Sequence, residues 1–273
     1  MKPKGFDYLR AASVEEAVDG LKEGGEEARI VAGGQSLGAM MNMRLVEPEL
    51  LVDIAGIADL DYLRAENGAL EVGAALTQAE LLEWSGLAEQ APLLHLAMPH
   101  VGHFQTRNRG TVCGSIAHAD PSSELPLSLA VLGGEVKLRS ASGQRTLAAS
   151  EFQLGMLSTA RRPDEMVTAV RFPNPRPGQS FAFREVARRH GDFAIVAAAA
   201  VVSDGHVRLG IGGVADRPTV RDWEALEGSA LDDALNEFAW DLGGHDDIHA
   251  TARYRRELVR RIGRRAIEEA RHA

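Results

Sequence analysis

The chain has 273 residues, with 30 Lys+Arg against 39 Asp+Glu and a formal net charge of −9, a length that suits about two domains. At 45% hydrophobic and 25% charged residues it can bury a core of its own, which excludes an intrinsically disordered chain and a small disulfide scaffold, and its acidic balance argues against nucleic-acid binding, which leaves a basic footprint. Cys113 is the only cysteine, so neither an intrachain disulfide nor a chain-borne iron–sulfur cluster is possible, and a cytoplasmic location is expected.

From the N-terminus, Met1 to Gly5 lead into mixed polar sequence with no apolar core of a signal peptide. Ser13-Val14-Glu15-Glu16 has the pattern of a capping box, and Val14, Ala17, Val18 and Leu21 form one helical stripe that Gly24-Gly25 ends. Arg29 to Ala32 reads as a short strand running into the turn Gly33-Gly34, with a helix after it. Leu51 to Ile54 and Leu70 to Ala74 read as further strands, and Thr77 to Glu80 as a second capping box opening a helix.

Pro99 to Pro126 is polar and rich in Gly and His, and reads as a long functional loop. A helix around Ser123 to Leu132 and strands near Glu135 to Arg139 and Val167 to Phe172 complete the first part. Pro173, Pro175 and Pro177 then mark a domain boundary, because three prolines in five residues fit neither a helix nor a central strand.

Strands follow at Ser180 to Val186, Phe193 to Val202 and His206 to Gly210, and then helices. The ten residues of Phe193 to Val202 are the longest apolar run, well short of the roughly 20 a membrane span needs. In the Arg-rich stretch Arg253 to Arg271, Leu258, Val259, Ile262 and Ala266 form the apolar face of an amphipathic helix, suited to packing on the second domain or, alternatively, to facing a partner. The architecture expected is two α+β units joined at a proline hinge.

Three patterns invite familiar chemistry and fit it poorly. Gly34-Gln35-Ser36-Leu37-Gly38 matches the nucleophile elbow of α/β-hydrolases, but only 33 residues precede it, too few for the strands and oxyanion loop that come first in that fold. Gly210-Ile211-Gly212-Gly213-Val214-Ala215 imitates a dinucleotide fingerprint, yet Asp216-Arg217-Pro218 follows where a helix must begin. His245-Asp246-Asp247-Ile248-His249 spaces two imidazoles like a metal site; with no third ligand evident it reads as a polar helix start. His100 and His103 are read as locally hydrogen-bonded.

Two stretches carry more. Ala32-Gly33-Gly34-Gln35-Ser36-Leu37 puts two glycines and small polar residues between a strand and a helix, where successive backbone N–H groups form a nest for an anion. Thr106 to Asp120 combines two arginines, two glycines and several hydroxyls in one turn-rich segment. Together they suggest two loops closing on a phosphate-bearing ligand.

At these residues the chain resembles the FAD-binding medium subunit of the molybdenum hydroxylases, the family of carbon monoxide dehydrogenase and xanthine dehydrogenase. AGGQSL at 32–37 is similar to that family's first flavin loop, TRNRGTVCGSIAHADPSSELP at 106–126 to its second, and FREVARRHGDFAIV at 183–196 to the segment opening its small C-terminal domain. The resemblance implies an α+β protein: a two-subdomain FAD-binding domain of the vanillyl-alcohol-oxidase type over 1–175 (subdomains about 1–56 and 57–175), then a C-terminal α+β domain over 179–273.

By the same resemblance, FAD is held by backbone groups of Ala32, Gly33, Gly34, Gln35, Ser36 and Leu37 and of Thr111, Cys113, Gly114 and Ser115. Glu124 stands where the family has an acid bonded to cofactor hydroxyls, and Arg184 where a basic residue approaches the cofactor. His118, Asp120 and Val167 complete the implied cleft. Cys113 replaces a glycine of the family turn, which implies ordinary backbone dihedrals there.

The function implied is that of a cytoplasmic electron-transfer subunit in a hetero-oligomer. A large molybdenum subunit oxidises the substrate, two-iron–two-sulfur clusters on a small subunit relay electrons to FAD, and NAD, a quinone or oxygen accepts them. No nucleic acid and no membrane insertion are implied. The alternatives are a free-standing FAD-dependent oxidoreductase and an interaction subunit without cofactor.

Overall fold

The computed structural model describes residues 2–273. Its first unit holds β1 (Asp7–Arg10), α1 (Val14–Gly24), β2 (Ala28–Val31), α2 (Leu37–Asn42) and β3 (Leu50–Asp53). The three strands form a parallel sheet in the order β1-β3-β2, with Leu51 beside both Tyr8 and Arg29. At the start of α1 the Ser13 hydroxyl accepts the Glu16 N–H at 3.1 Å, while the Glu16 carboxylate accepts from Ala12, one residue before the cap. The helix buries Ala17, Val18 and Leu21 and stops at Gly25, whose φ is 56°.

The second unit contains β4 (Leu63–Glu66), β5 (Ala69–Gly73), α3 (Gln78–Glu83), α4 (Leu87–Gln90), α5 (Pro92–Ala97), α6 (Phe104–Arg107), α7 (Val112–His118) and α8 (Glu124–Leu132). It continues through β6 (Glu135–Ser140), β7 (Gly143–Ala148), α9 (Ala149–Phe152), β8 (Gln153–Gly155), β9 (Ser158–Thr159) and β10 (Met166–Pro173). A five-stranded antiparallel sheet runs β4-β5-β10-β6-β7. Thr77 and Glu80 make the full reciprocal capping box that opens α3.

The segment 99–126 is more regular than its composition suggests. Two short helices, α6 and α7, lie within it, and α7 starts where the Thr111 hydroxyl accepts the Gly114 N–H at 3.0 Å. Seven residues with a glycine among them give no apolar stripe, so the cap rather than periodicity marks this helix.

The third unit is an antiparallel meander of β11 (Ser180–Ala187), β12 (Ala194–Ser203), β13 (His206–Gly212) and β14 (Thr219–Glu224), followed by α10 (Gly228–Asp241) and α11 (Ala252–His272). α10 and α11 cover one face, burying Leu258, Val259, Ile262 and Ala266 as the stripe in α11 predicts. α5 and α8 cover the other, where Leu93, Leu127 and Val131 pack against Phe181, Phe183, Ala197 and Ala199. Because both faces are covered, Ala194 to Val201 is buried without interruption, and the strand reads as an apolar run instead of an alternation.

The fit is close: a β-carbon on Gly210 would lie 2.1 Å from a Val131 methyl group. The sheet of the third unit is thereby locked onto the second. Among the described residues no helix is long and apolar enough to cross a membrane.

Candidate functional site: a cleft between two glycine loops

All three units border one cleft of about 1430 Å³. Ordinary small-molecule pockets run to about 1,000 Å³, so this one accommodates a ligand of dinucleotide size. The first unit contributes the turn from β2 into α2, the second the start of α7 and the chain from His118 to Glu124, and the third the segments 191–195 and 245–249.

The two glycine loops converge directly. A β-carbon on Gly33 would lie 1.8 Å from the Arg109 carbonyl oxygen and 2.8 Å from Cα of Gly110. Gly34 has φ of 70°, which turns the backbone into α2. Among the described residues the N–H groups of Gly33, Gly34, Gln35 and Ser36 donate to no protein acceptor, and neither does that of Cys113. These free donors on the wall of a cleft suit an anionic group.

The Cys113 side chain itself points away, buried among core residues, with its thiol donating to the Val72 carbonyl at 3.4 Å and its pKa raised by burial. Its φ is ordinary, as the replacement of glycine there requires. Gln78, absent from the sequence-derived candidates, lies between the loops. Its Nε2 donates to the Thr111 carbonyl at 3.3 Å, and its Oε1 is buried without a donor although it borders the cleft. Such an orphaned acceptor calls for a ligand hydroxyl or N–H.

Of the residues named from sequence, Ala32, Gly33, Gly34, Gln35, Ser36 and Leu37 line one wall. Thr111, Cys113, Gly114, Ser115, His118, Asp120, Glu124 and Val167 line the rest. Arg184 stands outside. Along β11, Phe181 and Phe183 face α5 and α8, whereas Ala182 and Val186 face α10 and α11. The period of two sends Arg184 to the second side, where it is ion-paired with Glu269 of α11 at 2.6 Å. The residue of β11 that turns toward Glu124 is its neighbour Glu185.

Burial raises Glu124 to about 7, and burial together with the Glu124 charge raises Glu185 to about 8. Asp120 caps its own turn, accepting the Ser122 N–H at 2.8 Å, and burial lowers the pKa of His118 against the opposing pull of Asp120. In the third unit Arg255 of α11 is buried. It donates to the Ile195 and Gly213 carbonyls at 2.6 and 2.7 Å and to Asp247 at 2.6 Å. That grip fixes the segment carrying Phe193, which is 70% exposed at the cleft.

The familiar patterns resolve plainly. Ser36 makes no side-chain cap bond and has no histidine partner, so no hydrolase triad exists around it. Gly213, with φ of 80°, is a turn after β13 and not the start of a phosphate-binding helix. His245 to His249 form an irregular stretch before α11, not a helix start, and no metal-binding group of His, Cys, Asp and Glu occurs among the described residues. His100 packs at a tilt against Phe183 at 5.2 Å and stacks on His190 at 5.9 Å instead of making local hydrogen bonds.

The family model described as FAD binding domain in molybdopterin dehydrogenase matches residues 4–175, and that of the CO dehydrogenase flavoprotein C-terminal domain matches 181–270. The chain is 34% identical to the 6-hydroxypseudooxynicotine dehydrogenase complex subunit alpha of Paenarthrobacter nicotinovorans, over 100% of this chain and 96% of that protein. It is 35% identical to the nicotine 6-hydroxylase medium subunit of the same organism, over 99% of each chain. Among solved structures, reconstituted CO dehydrogenase from Oligotropha carboxidovorans superposes with a TM-score of 0.94 at 34% identity, covering 99% of both chains.

Proposed function

This chain belongs to the FAD-binding medium subunits of the molybdenum hydroxylases, and we propose that the cleft between its two glycine loops holds FAD and relays electrons from partner clusters to an external acceptor. The observation that carries this reading is the meeting of Gly33 with Arg109 and Gly110 on the cleft wall, beside five unclaimed N–H groups. The residues fit the cofactor. The N–H groups of Gly33 to Ser36 and of Cys113 would hold its pyrophosphate, Glu124 would accept from its hydroxyls, and Gln78 Oε1 would gain the donor it lacks.

When bound, FAD supplies hydride and single-electron chemistry, while the protein places it and sets its electrostatics. The chain does the rest with fixed groups. Thr111 anchors the start of α7, Val167 and Phe193 offer apolar surface to a flat ring, and Arg255 fixes the segment behind Phe193. Oxidation of the substrate belongs, in this reading, to a large molybdenum subunit. Two-iron–two-sulfur clusters of a small subunit would likewise supply the electrons, and NAD, a quinone or oxygen would accept them.

The test is reconstitution with the large and small subunits. Substrate added anaerobically to the complex is expected to bleach the flavin absorbance, whereas the isolated chain with substrate stays unbleached. Bleaching of the isolated chain would instead favour a free-standing oxidoreductase.

A further inference from the structure

Among the described residues, three exposed large apolar side chains border the cleft: Met156, Leu157 and Phe193. Met156 and Leu157 form the two-residue turn between β8 and β9, where Gly155 pairs with Ser158. The second position of that turn has φ of 54°. Glycine or asparagine is the usual occupant of such a place, because a bulky side chain at positive φ crowds its own backbone. Leu157 therefore holds an unfavourable conformation and, at 49% exposure, also leaves half of its surface uncovered.

The turn is held in this state from two sides. The Leu157 N–H donates to the Ala119 carbonyl at 3.1 Å, and Ala119, itself at φ of 54°, is the C-cap of α7. Arg217 of the third unit donates to the Gln153 carbonyl at 3.1 Å, and the Gln153 side chain donates to the Pro126 carbonyl at 3.3 Å. The third-unit chain leading to Arg217 packs tightly at Gly213 against the Ala194 and Ile195 carbonyls, beside Phe193. One short segment thus links the turn to Phe193. Along the cleft, α7 begins beside the free Cys113 N–H and ends at Ala119, and its seven residues span about 10 Å. A flat ring tethered by a short chain to an anion at the glycine loops reaches that far.

We propose that Leu157 is a cofactor-contacting residue: with Met156 and Phe193 it seats the isoalloxazine ring of FAD, and the strained turn presents it to that ring. The inference rests on the placement of FAD in the cleft and adds the residue that receives the ring. Of the two rings of FAD, the isoalloxazine is the larger and, on its dimethylbenzenoid side, the more apolar, which matches leucine, methionine and phenylalanine side chains. Covering the exposed half of Leu157 takes apolar surface out of water and offsets the unfavourable turn. Glycine would form the turn more readily but would give the ring nothing to rest on.

The experiment compares the purified chain with Leu157→Gly, Leu157→Ala and Leu157→Met, measuring the Tm of the apoprotein and the affinities for FAD and for ADP. ADP carries adenosine and two phosphates but no isoalloxazine. Leu157→Gly and Leu157→Ala are expected to bind FAD about five- to tenfold more weakly than wild type, the loss that matches half a leucine's burial, with ADP affinity unchanged. Leu157→Met keeps the volume and should bind FAD within about twofold of wild type. Leu157→Gly should melt about 2–4 °C above Leu157→Ala, because only glycine relaxes the turn; a purely structural role would make affinity follow that order. Equal FAD affinity in wild type and Leu157→Gly would overturn the inference. So would an ADP affinity that falls in step with that for FAD, since the effect would then lie at the glycine loops. If the wild type binds no FAD, the cleft assignment fails and the ring contact with it; if wild type and variants bind FAD alike, the ring contact alone fails.

Discussion

Gly33 and Arg109 meet backbone to backbone, so closely that a β-carbon on Gly33 would stand 1.8 Å from the Arg109 carbonyl oxygen. Two segments more than 70 residues apart in sequence are thereby held in register, and only glycine permits it. Gly33→Val must push the loops apart. The expected cost is at the top of the ~1–3 kcal/mol typical of overpacking, with loss of bound flavin. Urea unfolding and flavin content of the purified variant measure both.

Gly34 and Gly114 act for other reasons than space for a ligand. A β-carbon on Gly34 meets only a Val31 methyl at 3.6 Å, but φ of 70° disfavours any side chain, so Gly34→Ala should cost about 1 kcal/mol. A β-carbon on Gly114 would lie 2.7 Å from the Thr111 hydroxyl and disturb the cap of α7. Thr111→Ala should therefore lose about 1 kcal/mol and weaken FAD binding, while Thr111→Ser restores both. Thermal melts and fluorescence titration decide it.

Arg184→Ala tests the register of β11. Its pair with Glu269 is half-exposed and is worth about 0–1 kcal/mol, so flavin content should match the wild type. Glu124→Ala, by contrast, should lower FAD affinity. A loss of flavin in Arg184→Ala would place that side chain in the cleft after all.

The five-stranded sheet carries its own pH dependence. Burial works to raise the Glu71 carboxyl, but hydrogen bonds from Lys137 at 2.7 Å and Tyr62 at 2.8 Å, with Arg171 at 3.4 Å, hold it below the ordinary carboxylate range. A lowered folded-state pKa gives stability that is present above the ordinary range and lost as pH falls through it. Glu71→Gln should melt at lower temperature than wild type near pH 7, with the gap shrinking toward pH 4. Melting curves across that range test the sign.

Arg255 is the other buried charge of consequence. Removing a buried partner costs about 3–5 kcal/mol, and Arg255→Ala would also release the Ile195 and Gly213 carbonyls. Its melt should fall well below that of Arg184→Ala, and its flavin content should drop with it.

What was legible in the sequence was what short-range chemistry determines. The Ser13 cap, without its reciprocal Glu16 bond, the full capping box at Thr77, the glycine turn at 33–34 and the apolar run of β12 each follow from a few consecutive residues. The helices α6 and α7 were hidden because neither has an apolar stripe: α6 is a single turn without a side-chain cap, and α7 carries only the Thr111 hydroxyl cap as its signal. Arg184, which the resemblance brings toward the cofactor, pairs with Glu269 outside the cleft; which face of a strand a residue takes depends on what packs above and below it, and that is not local information. The orphaned Gln78 oxygen lies between distant segments, so no local pattern announces it.

The most direct measurement is the visible absorption spectrum of the purified chain, followed by denaturation and identification of the released chromophore. Flavin bands and stoichiometric release of FAD are the predicted result. A colourless protein that stays colourless after FAD is added would contradict it: the two glycine loops would then meet only as turns, and the cleft between them would have some other occupant.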